Sequence, residues 1–195
     1  DTKYQIMNSL LVTYILQTEK WTSPELFETK NRIYTFLNPV SYLIALENKS
    51  LFEQFDGIFA DGSLLVSAIR LVYGKRVTRR SFDMTSLAPE LLNYLMESRK
   101  TLYIVASGQE QVECSVRIFQ EQYPKLRIAG FRNGYFSSDA EMNKEASHIV
   151  ELNPDFLIVG MGALMQEKFL LKVKKMGYQG IGFTCGGFVH QTAMN

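Results

Sequence analysis

Gly57-Ile58-Phe59-Ala60-Asp61-Gly62 is a short apolar run closed by a carboxylate and a glycine. The run reads as a buried strand. Leu65, Ala68, Ile69 and Val72 then recur at helical spacing, predicting a helix from near Ser63 to near Gly74. Just upstream, Ile33 to Leu37 reads as another strand, ended by Asn38-Pro39. Val40, Leu43, Ile44 and Leu46 sketch a helix over roughly 40–48. The stretch from Thr35 to Arg80 therefore reads strand, helix, strand, helix, basic loop.

Outward from there the same alternation repeats. Ser86 to Met96 reads as a helix with Pro89 in its first turn, and Thr101 to Ala106 as a strand turned by Ser107-Gly108. Val112, Val116, Phe119 and Tyr123 mark a helix stopped by Pro124, and Leu126 to Phe131 a strand. After the loop Asn133-Gly134-Tyr135-Phe136, Ser138 with Glu141 three positions on is a capping-box pattern. That helix stops before Pro154, and Asp155 to Gly160 is a strand. A helix from Gly162 to Met176 carries Met165, Phe169, Val173 and Met176 on one face. Gly180 to Thr184 is the last strand, followed by Cys185-Gly186-Gly187. At the other end, Ser23-Pro24-Glu25 is a helix start. Residues 1–22 fit neither period, so helix and strand both stay open there. Strands separated by helical stretches imply an α/β fold: one Rossmann-like parallel sheet with helices on both faces, a single domain over 1–195.

The composition is globular: 195 residues, 46% apolar and 21% charged. A net charge of +1 gives no global basic field, so no nucleic-acid partner is expected. Cys114 and Cys185 are too few for a disulfide framework or zinc cluster; each is expected to be buried as a small apolar residue in a reducing compartment. No apolar run is long enough to span a bilayer. The start, Asp1-Thr2-Lys3-Tyr4, is not a signal peptide and lacks an initiator Met, as in a processed or trimmed chain.

In such a sheet the strand-to-helix turns share one edge, where ligands bind. Three turns are chemically loaded: Thr35 to Asn38, Asp61-Gly62, and Gly160-Met161-Gly162 leading to Gln166-Glu167-Lys168. Backbone N–H groups at such helix starts suit an anion, most plausibly a diphosphate. Asp61 either stands in that crevice or caps the helix near Ser63. Lys75-Arg76-Val77-Thr78-Arg79-Arg80 is either a solvated loop or a clamp for phosphate oxygens. Gln166-Glu167-Lys168, by itself, is an ordinary polar first turn. A dinucleotide fingerprint fails at Gly160, where the third glycine and the distal acid are missing. There is no P-loop and no serine elbow. His148 and His190 lack metal-ligand spacing, and His148 sits mid-helix on a surface position. Neither a metal site nor a cofactor is expected.

Together the motifs resemble the WecG/TagA/CpsF family of bacterial glycosyltransferases. The matching pieces are Thr35-Phe36-Leu37-Asn38-Pro39, Ala60-Asp61-Gly62, Lys75-Arg76-Val77, Tyr123-Pro124 with Gly134-Tyr135-Phe136, Asn153-Pro154-Asp155, and Val159-Gly160-Met161-Gly162 before Gln166-Glu167-Lys168. Their order and spacing cover roughly 25–193. The resemblance implies inverting, metal-independent transfer of a hexose, of the N-acetylmannosamine type or another. The donor is a UDP-sugar and the acceptor an undecaprenyl-diphosphate-linked saccharide, as in teichoic acid or exopolysaccharide synthesis. It implies Asp61 as catalytic base. Thr35, Asn38, Arg76 and Gln166 fall on the family's substrate-binding positions, and Gly62, Arg79, Gly134, Tyr135, Gly160 and Gly162 complete the expected set. It implies a peripheral enzyme at the cytoplasmic face of the membrane that self-associates.

Three departures stand out. Leu164-Met165 occupy the place where the family commonly has Pro before Gln-Glu. Arg79-Arg80-Ser81-Phe82-Asp83 replaces a usual Gly. The chain ends at Asn195, where relatives continue into a basic appendage, so a truncated core with weak or absent activity is expected. The rival expectations are a non-catalytic nucleotide-sugar binding or assembly module of the same fold and, disfavoured by the glycine pattern, a nicotinamide-dependent dehydrogenase.

Overall fold

The computed structural model describes residues 2–194, with side chains over 10–194. Among the described residues, six strands form one parallel sheet: β1 (Arg32–Leu37), β2 (Gly57–Ala60), β3 (Thr101–Ala106), β4 (Arg127–Arg132), β5 (Phe156–Gly160) and β6 (Ile181–Thr184). Their order is β2-β1-β6-β5-β3-β4. The helices are α1 (Thr2–Thr18), α2 (Ser23–Glu28), α3 (Pro39–Glu47), α4 (Lys49–Phe52), α5 (Ser63–Tyr73), α6 (Leu87–Ser98), α7 (Gln109–Gln122), α8 (Asp139–Leu152), α9 (Met165–Lys175) and α10 (Phe188–Met194).

Apart from β4, the strands are largely apolar runs, as suits a sheet sealed by helices on both faces. One face packs against α2, α6, α7 and α10, through Leu26, Leu91, Phe119 and Phe188 among others. The opposite face packs against α1, α3, α4, α5, α8 and α9, through Ile15, Ala45, Phe52, Ile69, Ile149 and Phe169. Phe36, Phe59, Phe82 and Phe183 stack and cross edge-on beneath the first face. Each buried ring of this kind contributes roughly 1.5–3 kcal/mol through its apolar area. β4 is the outer strand on its side, and its residues are only alternately covered.

The connections position the site. α7 leaves β3 toward β4 on one face, and α9 leaves β5 toward β6 on the other. The two helices diverge from neighbouring strands, and a crevice opens at the carboxyl ends between them.

Several local expectations are corrected. Residues 1–22, left open above, begin with α1; its described face buries Leu11, Val12, Ile15 and Thr18. Thr18 Oγ1 donates to Ile15 O at 2.7 Å and Ile58 O at 2.9 Å, stitching α1 to β2. The helix expected from Gly162 starts at Met165, because Gly162 and Leu164 both take positive φ, 83° and 73°. α10 lies beyond the last element read from the sequence. Ser138 caps α8 by accepting from Glu141 N, but the Glu141 carboxylate turns to Ser137 N rather than closing a capping box. Cys185 is buried as expected; Cys114 is only half-buried.

Candidate active site

A cleft of about 980 Å³ runs along the carboxyl edge of the sheet. Every strand supplies a turn to it: Asn38 after β1, Asp61 after β2, Ser107 after β3, Gly134 after β4, Gly160 at the end of β5 and Gly186 after β6. The turns are knit to one another. Gly134 N donates to Ser107 O at 2.9 Å, and Ser107 N to Gly160 O at 3.1 Å. A Cβ on Gly160 would stand 2.5 Å from Gly186 O and 2.8 Å from Cys185 Sγ, so only glycine lets these two turns meet.

Asp61 is anchored by its own N–H, which donates to Leu37 O at 2.8 Å. Gly62 follows with φ 88°, and α5 starts without any side-chain cap. The Asp61 carboxylate is therefore not consumed as a helix cap. It stands in the cleft wall with a third of its side chain exposed. Burial pushes its carboxyl above the ordinary value, and Asp83 adds to the rise; Arg79 and the Gly62 N–H oppose it without cancelling it.

Arg79 is the basic-loop residue that reaches Asp61, with Nε 3.9 Å from Oδ1. Its Nη2 donates to Asp83 Oδ2 at 2.8 Å, so one guanidinium spans two carboxylates. Asp83 is partly buried, which raises its carboxyl. Donation from Thr85 and Ser81, with Arg79 beside it, outweighs burial and holds it below the ordinary value. Arg80 lies over the Phe59 ring at 5.4 Å, its backbone N–H on Ala60 O. Arg76 lies outside the cleft, in a separate hollow with Val66, Arg70 and Val77. The basic run thus sends its arginines in three directions.

Beneath the cleft floor runs a buried polar network. Thr184 Oγ1 donates to Thr35 Oγ1 at 2.9 Å, and Thr35 Oγ1 to Glu167 Oε1 at 2.8 Å. Gln166 Nε2 donates to the same carboxylate oxygen at 3.0 Å, and Leu164 N to Oε2 at 2.7 Å. Gln166 Oε1 in turn accepts from Gly186 N at 3.1 Å. Glu167 has no exposed surface. Burial raises its carboxyl, and donors from Thr35, Gln166 and Leu164 partly offset the rise. The result is rigid: the Gln166 amide must present oxygen to Gly186, because its nitrogen is held by Glu167.

The expected site residues divide accordingly. Asn38, Asp61, Gly134, Tyr135, Gly160, Gly162 and Gln166 line the cleft. Gly62 and Arg79 adjoin Asp61. Thr35 is fully buried below the floor and is joined to the cleft through Thr184 on one side and through Glu167 and Gln166 on the other. Asn38 spends its Oδ1 on Ser41 N, capping α3. Tyr135 stands at the rim, its loop held by Arg132, which donates to Tyr135 O and covers the Phe136 ring at 4.0 Å. Sequence reasoning named Glu167 only within a loaded turn and His190 only to set aside a metal site, and gave no site role to these two, to Asp83 or to Gln191; His190 and Gln191 line the cleft from α10. A charged residue in a helix's first turn carries no mark of burial, and α10 had not been anticipated. Among the described residues, no group of three or more His, Cys, Asp or Glu side chains could hold a metal ion. No helix among them is long and apolar enough to cross a membrane.

The family model described as glycosyl transferase WecG/TagA/CpsF family matches residues 14–194. The chain is 33% identical over 161 residues to a Shigella boydii protein named UDP-Gal:alpha-D-GlcNAc-diphosphoundecaprenol beta-1,4-galactosyltransferase, covering 83% of this chain and 67% of that one. It is 23% identical over 185 residues to a Bacillus subtilis (strain 168) protein named N-acetylglucosaminyldiphosphoundecaprenol N-acetyl-beta-D-mannosaminyltransferase, covering 93% and 69%. A Staphylococcus aureus (strain NCTC 8325) protein of the same name is 25% identical over 146 residues, 73% of this chain and 56% of that one.

Proposed function

From the premise that this chain belongs to the WecG/TagA/CpsF family of glycosyl transferases, we propose that it moves a hexose, with inversion, from a UDP-sugar to a polyprenyl-diphosphate-linked saccharide, with Asp61 as general base. The Shigella boydii relative is named for a UDP-Gal donor and a GlcNAc-diphosphoundecaprenol acceptor. The Bacillus subtilis relative is named for the same kind of acceptor and a different sugar, N-acetylmannosamine. The shared feature is the acceptor.

The observation that carries this reading is the Asp61 carboxylate, open to the cleft, uncommitted to a cap, and raised by burial toward the range of an effective base. The acceptor hydroxyl gives its proton to an Asp61 oxygen as that hydroxyl's oxygen bonds to the sugar's anomeric carbon. The bond from that carbon to the nucleotide oxygen breaks on the opposite side, and its electron pair leaves with UDP. Positive charge and backbone N–H groups at the turns receive the departing diphosphate. Arg79 is the nearest guanidinium to Asp61, and the turn after β5 opens directly onto α9. No divalent metal takes part. The protein works as a peripheral, self-associating enzyme at the cytoplasmic face of the membrane, where such an acceptor is held.

The test is transfer from a panel of UDP-sugars to a short-chain lipid-diphosphate GlcNAc acceptor, by wild type and Asp61→Asn. Loss of roughly 10²–10⁴ in rate with donor binding retained supports the base. A second reading, a nucleotide-sugar binding or assembly module, gains if neither form transfers in any length of chain while both bind the donor.

A further inference from the structure

α5 is apolar on two sides. Leu65 and Ile69 pack into the core. Leu64, Leu71 and Val72 point the other way and are 69%, 87% and 69% exposed. With Ala68, also exposed, they recur at helical spacing and make a stripe along the outside of the molecule. The helix carries a single charged residue, Arg70, and no acid. α3 is tied to α5 through a Tyr42–Tyr73 hydrogen bond and also exposes apolar side chains, Val40 and Leu43. Large apolar side chains left exposed along one helix face mark an interaction site.

The edge of the stripe is basic. Arg70, Lys75 and Arg76 are exposed and have no carboxylate partner among the described residues. Arg70 and Arg76 flank a hollow of about 270 Å³ lined also by Val66 and Val77. Apolar side chains with a border of free cations match a surface that is greasy inside and anionic outside. A second copy of this chain presenting its own α5 offers these cations no acid to pair with, since that helix carries none.

We propose that the outer face of α5, with Val40 and Leu43 of α3 and the Arg70, Lys75 and Arg76 cluster, docks the protein on an anionic lipid bilayer. The placement serves the site, a point that rests on the function proposed above. α3 begins directly after Asn38 and α5 directly after Asp61–Gly62, so the docking helices start at the lip of the cleft. Seating them in the headgroup region brings that lip to the depth of a lipid-linked diphosphate.

Co-sedimentation with phosphatidylcholine vesicles, with and without phosphatidylglycerol, tests the proposal. The chain is expected to bind only the anionic vesicles and to come off as salt rises. Leu71→Glu with Val72→Glu is expected to weaken binding at least tenfold, and Arg70→Gln with Lys75→Gln to weaken it and flatten its salt dependence. Circular dichroism checks that the variants are folded; all four sites are exposed, so folding is expected to be unchanged. Binding that ignores these substitutions overturns the proposal. So does a light-scattering dimer that Leu71→Glu with Val72→Glu breaks while vesicle binding persists. Transfer to a soluble short-chain acceptor separates the two claims. It is expected to be the same in Leu71→Glu/Val72→Glu as in wild type, with a loss only when the acceptor is vesicle-borne. Absence of transfer to the soluble acceptor in wild type counts against the enzyme reading alone, while the sedimentation result still decides the docking face.

Discussion

Thr35 and Glu167 lie 132 positions apart and are joined by a 2.8 Å hydrogen bond from Thr35 Oγ1 to Glu167 Oε1, both residues closed to water. Through it β1 is tied to the first turn of α9, and through Gln166 to the turn after β6. Removing the carboxylate strands three donors at once: Thr35 Oγ1, Gln166 Nε2 and Leu164 N. Glu167→Ala is expected to cost on the order of 3–5 kcal/mol. Glu167→Gln keeps the shape but turns an NH₂ toward a donor, and is expected to cost about 1–3 kcal/mol. Urea denaturation reads both. A wild-type midpoint in Glu167→Ala would contradict the network.

With Asp61 as the proposed general base, the pH dependence of transfer is expected to report on its carboxylate. The base must be ionised, so kcat/KM is expected to fall with decreasing pH through a value above 3.8, the ordinary carboxyl value. Arg79 holds that value down and Asp83 holds it up. Arg79→Ala should therefore move the acid limb to higher pH, and Asp83→Asn to lower pH. Both limbs staying at the wild-type position would remove Asp61 from the proton transfer.

Asp83 links stability to pH in the other direction. Its folded-state value is lowered, so the unfolded chain binds the proton more tightly. The stabilisation is present at pH values above about 3.8 and is lost as pH falls through the lowered value. Asp83→Asn should thus lower the melting temperature at pH 7 and have little effect near pH 2. An equal loss at both pH values would point to shape rather than charge.

Gly160→Ala places a methyl group 2.5 Å from a backbone oxygen, Gly186 O, in turns that have no slack. The expected cost is about 1–3 kcal/mol. Transfer is expected to fall by more than this loss of folded protein explains, since the turns after β5 and β6 both line the cleft. Calorimetry and rate measurements on the folded fraction check it.

The two thiols should differ. Cys185 is buried and its thiol is pushed far up by that burial, whereas Cys114 is half-buried with Sγ 3.9 Å from Ala193 O. Native protein is expected to label at Cys114 while Cys185 stays protected until unfolding. Mass spectrometry after alkylation distinguishes them.

Much of this architecture was legible in the residues. A strand buried on both faces is a solid apolar run, and Gly57–Ala60, Thr101–Ala106 and Phe156–Gly160 read that way at once. Parallel strands fix where their turns go, which is why Asn38, Asp61 and Gly160 could be assigned to one edge before any contact was known. α1 resisted because exposed Leu10 and half-buried Leu16 blur the stripe made by Leu11, Ile15 and Thr18. α10 has seven residues, too few for a period to declare itself. Arg76, Arg79 and Arg80 sit in a loop without repeat, where spacing says nothing about which way a side chain turns. Glu167 needed the sheet order first: its partners come from β1 and from the loop before α9.

The six turns around the cleft alternate along the chain with the helices that close the two faces. No continuous piece of polypeptide owns the cleft. A fragment lacking the last strand would be missing the Gly186 side of the pocket, and one lacking the first two would be missing the acid. The cleft is therefore a property of the finished sheet, complete only when β6 is seated between β1 and β5.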